Sequence, residues 1–128
     1  MKIVSTIARI LLGLMFTVFG LNGFLHFIPS PAFPPGYLND FFTAIAGSGF
    51  YVMIFGVQLI CGLLLLANQF VPLAVVALAA VLANILTFHA TMNPQGFPVA
   101  IVALILWFLT AWPIRAQFAP LFVRKANV

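Results

Sequence analysis

The chain has 128 residues, 65% of them apolar and 5% charged, with a mean hydropathy of +1.25. A soluble domain carries about 25% charged residues and, at this size, leaves much of its surface in water. So oily a chain needs an apolar surrounding, which excludes an ordinary water-soluble domain and predicts a single all-α integral membrane domain over residues 1–128. The formal charge of +4 does not signal nucleic acid. The five basic residues, Lys2, Arg9, Arg115, Arg124 and Lys125, lie near the two chain ends, and the high pI reflects a single acid, Asp40. No basic stripe interleaved with aromatics is present. Cys61 is the only cysteine, so intrachain disulfide chemistry is excluded as well.

A hydrocarbon core of about 30 Å takes about 20 helical residues to cross, and four segments approach that length. The first runs over residues 3–28. Its basic residues and apolar run suggest a signal peptide, but the run is longer than an h-region and lacks an A-x-A-like site, so a retained span is expected. PSPAFPPG (29–36) stops it, because proline cannot continue a helix. DFFTAIA (40–46) is expected to form a short interfacial helix capped by Asn39. The second span covers 50–67, after Gly47-Ser48-Gly49. The third covers 72–92 and opens on Pro72, a good first-turn residue. Asn93-Pro94-Gln95-Gly96 is a turn signal. The fourth covers 98–112 and ends or kinks at Pro113. IRAQFAPLFVRK then reads as an interfacial tail helix over 114–124, its cations toward headgroups. The expected fold is a four-helix membrane bundle with two interfacial helices.

An even number of spans puts both termini on one side. With every basic residue near a terminus, the positive-inside rule places the termini in the cytoplasm. The Pro-rich loop and the NPQG turn then face outward. Trp107 and Trp112 suit the inner aromatic belt.

Inside a bilayer a polar side chain must find a partner or lose solvation energy. The candidate residues are Asn22, His26, Gln58, Asn84 and His89, with Thr17, Thr87 and Cys61 as weaker members. Asn22 and His26 lie one turn apart on one helix face. The depths of the five agree with one polar chamber in the outer half of the bundle. The competing reading is interhelical glue, worth about 0.6–2 kcal/mol per bond. Ala77, Ala80, Asn84, Thr87 and Thr91 form one stripe, expected to be a packing face. His89 lies about 140° around the helix from Asn84. Gly13, Thr17 and Gly20 form a second small-residue stripe, and Gly56 and Gly62 flank Gln58.

Chemically, two histidines on two spans allow bis-histidine haem ligation, but no other haem feature is visible and haem is disfavoured. With no acid in the spans, the histidines cannot complete a zinc or iron site, so no metal is expected. Cys61 lies among Leu and Gly and lacks an activating neighbour. No catalytic residue is assigned. A quinone or lipid fits better, since its oxygens need a few donors in an apolar slot.

Three stretches, GLMFTVFGLNGFLHFIP (13–29), SGFYVMIFGVQLICGLLLLANQFVPLAV (48–75) and NILTFHATMNPQGFPVAIVALIL (84–106), resemble the DoxX family of small four-span bacterial membrane proteins. The resemblance rests on the N-x-x-x-H of the first span, the G-LLLL-A-N-x-F-VPLA junction and the N-x-x-x-x-H before the Pro-Gly turn. It implies the bacterial cytoplasmic membrane and quinone-linked redox metabolism, since the family is named after a membrane subunit of a thiosulfate:quinone oxidoreductase. Many family sequences read V-E-L where this chain has Val57-Gln58-Leu59, so a proton- or charge-carrying role there is not retained. The expected function is a non-catalytic accessory subunit of a respiratory or photosynthetic redox complex, with the lipid bilayer and partner subunits as neighbours. The alternative is a quinone-linked oxidoreductase component, or a quinone- or lipid-binding protein, using the outer polar pocket.

Overall fold

The computed structural model describes residues 2–128. The elements in chain order are α1 (Lys2–Leu25), α2 (Tyr37–Ser48), α3 (Tyr51–Ala67), α4 (Val71–Thr91), a 3-10 turn (Pro94–Gly96), α5 (Phe97–Ala111) and a tail in 3-10 geometry (Trp112–Phe122). Three stretches, α1, α4 and Pro94–Phe122, are long and apolar enough to cross a membrane, and the bent pair α2–α3 makes up to four. With its 17 residues, α3 reaches only about 26 Å on its own.

α1 shows why these helices want an apolar surrounding. Its buried face carries Ala8, Gly13, Gly20 and Gly23 beside Leu12 and Phe16, while Ile3, Ile7, Leu11, Leu14 and Val18 are exposed. Small residues bring backbones together and large aliphatics are left outside, the distribution of helices packed in lipid. α1 packs most extensively on α3, and the pairs α3–α4, α4–α5 and α5–α1 close a ring of four. Along the α1–α3 seam Gly13 meets Gly62 and Leu65, Gly20 meets Leu59, and Gly23 meets Phe55, so the two helices run antiparallel. The core shared by the ring includes Leu12, Phe16, Leu65, Val75, Leu78 and Leu82.

The ring has two distinct ends. At the basic end lie the start of α1, the α3–α4 turn and the tail. At the loop end lie the Pro-rich loop, α2 and the 3-10 turn. α2 bends 88° away from α3. Its Phe41 and Phe42 pack on Phe88 of α4 with ring centroids 5.2 and 5.8 Å apart, and Phe33 stacks on Phe42 at 5.3 Å. α2 is thus pinned across the loop end by aromatic contacts.

Several local expectations are corrected. α2 begins at Tyr37, three residues before the expected start, so Asn39 falls inside its first turn. Gly36, at φ 149°, takes the cap position with no side-chain cap bond. α1 stops at Leu25, before the first proline, because His26 turns left-handed at φ 51°. Pro72 is the second residue of α4, behind Val71. The α-helical fourth span ends at Ala111, just before Pro113 as expected, but the tail follows it without a break and in 3-10 rather than α geometry. Lacking an N–H, Pro113 cannot make the next α-type bond, and the chain tightens into 3-10 geometry that continues directly from α5.

Candidate functional site

The five candidate residues all lie in the loop-end half or at the loop end itself, but at different angles around their helices. Asn22 is partly buried in the last turn of α1. Its backbone carbonyl accepts the N–H of His26 at 2.9 Å and its Oδ1 accepts the N–H of Ile28 at 2.8 Å. The amide oxygen therefore takes the Ile28 N–H, a donor of the chain reversal that lies past the end of the helical ladder. His26 sits in the left-handed position of that reversal with its side chain exposed. The N-x-x-x-H pair thus forms a helix-end motif.

His89 does the equivalent work on α4. Its Nδ1–H donates to the carbonyl of Asn93 at 3.0 Å. The ring lies so close to Gly96 that a Cβ there would overlap it. Gly96 is needed for this close approach, and His89 is committed to the α4–α5 turn. The two histidines serve two separate reversals.

Asn84 is exposed. Its Nδ2 donates to the carbonyl of Ala80 one turn back, at 2.9 Å. Thr87 and Thr91, also exposed, bond the carbonyls of Ala83 and Thr87 at 2.8 and 2.7 Å. The buried residues of α4 are Ala74, Val75, Leu78 and Leu82. Asn84 lies about 200° around the helix from Leu82. Ala77 packs against the core, but from Ala80 through Asn84, Thr87 and Thr91 the stripe faces away from the ring, unlike the expected internal packing face. The other expected stripe, Gly13 and Gly20 on α1, does pack on a neighbouring helix, with Gly62 of α3 facing it.

Gln58 alone of the five is buried, at 6% exposure. Among the described residues its amide makes no side-chain hydrogen bond. One turn further along the same face of α3 is Gly62, which abuts Thr17 of α1. Thr17 Oγ1 is buried without a hydrogen-bond partner. Two unspent polar groups therefore lie near the α1–α3 seam, a feature that needs the helix phases and is not legible from residue types alone. Cys61 is buried beside them in sequence.

The expected chamber is not assembled. Asn22, His26 and His89 are used at the loop end, Asn84 faces outward, and Gln58 remains in the interior. The interior contact that sequence reasoning missed is Trp107, whose Nε1–H donates to the Val75 carbonyl at 2.9 Å and ties α5 to α4. Trp112, 58% exposed and stacked under the Arg115 guanidinium at 4.5 Å, keeps the character of a belt residue. Compared with known protein-family models, curated proteins and solved structures, the chain matches none of them.

Proposed function

We propose that the chain is a multi-pass protein of the bacterial cytoplasmic membrane, DoxX-like, with both termini cytoplasmic, serving as a non-catalytic accessory subunit of a respiratory or photosynthetic redox complex. The observation that carries this reading is the outward face of α4. Asn84 spends one N–H on Ala80, which leaves its carbonyl oxygen and second N–H open on an exposed face. In hydrocarbon those groups cost free energy until another helix answers them. The exposed Thr87 and Thr91 on the same side let a neighbour come close. A partner span seated on this face explains why polar groups point out of the ring. The test is affinity capture of the tagged full chain from its native membrane in mild detergent. The wild type is expected in a stable heteromer, and Asn84→Leu as a folded chain without its partner. Recovery of the wild type only as a lone chain overturns the reading.

A second reading is favoured by Gln58 and Thr17. A quinone or lipid oxygen near the α1–α3 seam would use the unspent amide and hydroxyl. Extraction of the purified protein should then release a stoichiometric quinone or lipid, and Gln58→Leu should lose it while remaining folded.

A further inference from the structure

The basic end of the ring holds a groove of about 430 Å³. Its walls are the first turns of α1, the α3–α4 turn, and the passage of α5 into the tail. Helix ends of both signs meet here. α1 and α4 begin at this end while α3 and α5 finish at it, so their dipoles largely cancel and side chains set the local charge. Those side chains are Lys2 and Arg9, with Ser5, Asn68 and Gln117 as neutral polar neighbours.

Arg9 is partly buried and donates one N–H to the carbonyl of Leu65, near the C-terminal end of α3. A guanidinium has five N–H donors, so most of its hydrogen-bonding capacity remains. No aspartate or glutamate lines the groove. The only such residue, Asp40, lies in α2 at the loop end. Two cations thus share one partly enclosed groove with no carboxylate side chain to offset them, an arrangement that an anion relieves. The volume falls within the range of about 300–1,000 Å³ typical of small-molecule sites. Phe70, Val71 and Ile114 add an apolar side to the same groove.

We propose that this groove binds the phosphate group of an anionic phospholipid headgroup. Arg9 and Lys2 hold the phosphate oxygens, Ser5, Asn68 and Gln117 supply neutral hydrogen bonds, and the apolar side carries the start of an acyl chain. The recognised group is the phosphate, which a soluble phosphate ester also presents. This inference is independent of the α4 partner and of the Gln58 pocket.

The full chain, purified in nonionic detergent, is titrated with phosphatidylglycerol and, separately, with diacylglycerol, and bound lipid is read by native mass spectrometry. Phosphatidylglycerol is expected to be retained and diacylglycerol is not. Lys2→Gln and Arg9→Gln are each expected to weaken phosphatidylglycerol about fivefold, the effect of one cation near an anionic headgroup. The double variant Arg124→Gln/Lys125→Gln removes two charges outside the groove and is expected to leave retention unchanged. Arg9 also holds α3, so Lys2→Gln carries the test if Arg9→Gln lowers stability. Displacement of the lipid by millimolar glycerol phosphate supports the phosphate site with a soluble ester as its source, and resistance to displacement supports the lipid. Equal weakening by the tail variant, or equal retention of diacylglycerol, overturns the proposal.

Discussion

The α1–α3 seam yields the sharpest expectation. A Cβ added to Gly62 would lie 2.5 Å from the backbone nitrogen of Thr17 and 2.9 Å from the carbonyl oxygen of Gly13. Ordinary Cβ contacts begin at 3.4 Å, and two of these obstacles are backbone atoms that cannot rotate away. Gly62→Ala must therefore push α1 from α3 by roughly 1 Å, and overpacking of this kind costs about 1–3 kcal/mol. Gly56, on the same helix, has nothing within 4 Å of its added Cβ. Gly56→Ala is expected to change stability by less than about 0.5 kcal/mol, as at sites away from special packing. The helix-propensity gain from Ala, about 0.5–1 kcal/mol in water, shrinks in detergent, where the unfolded chain stays largely helical. Cys61, the single thiol and 5% exposed, provides the readout. Maleimide labelling of Cys61 across an SDS titration reports the opened population. Gly62→Ala should raise that population about fivefold to more than a hundredfold, and Gly56→Ala should leave it nearly unchanged. Equal labelling of the two variants would refute the close seam.

Trp107→Phe removes the Nε1–H donated to Val75 and should cost about 1 kcal/mol in the same titration, because the α4 carbonyl loses its second partner. His26→Gly should leave stability unchanged or raise it by up to about 1 kcal/mol, since glycine takes a φ of 51° without strain. A loss of folding in that variant would show that the imidazole itself makes a required contact. Asn22→Ala should lower stability by about 1 kcal/mol through the lost acceptor for Ile28, measured as earlier SDS unfolding. Gly96→Ala should displace His89 from Asn93 and increase proteolysis at the α4–α5 turn, with α4 itself intact.

Helix positions were legible because apolar run length and proline and glycine punctuation act locally. α3 and α4 start within a residue of their expected positions, and the fourth span does too. Position along each helix was legible for the same reason, since rise per residue is fixed. Rotation about each helix axis was not. Asn84 was expected to face inward because a polar group in lipid needs a partner, yet its own helix supplies one at Ala80. Likewise Asn22 and His89 find carbonyls or N–H groups within six residues, so their polarity carries no information about a neighbouring helix. Gln58 is the exception. It has no such local bond among the described residues, and it is the one that is buried.

The seam between α1 and α3 also bears on biogenesis. α1 and α3 precede α4 and α5 in the chain, and among the described elements their interface is the most extensive. It can close before the C-terminal half has been synthesised, in keeping with the general N-to-C order of cotranslational folding. The α4–α5 hairpin, tied by Trp107 to Val75, follows later in the chain and completes the ring through its contacts with α3 and α1.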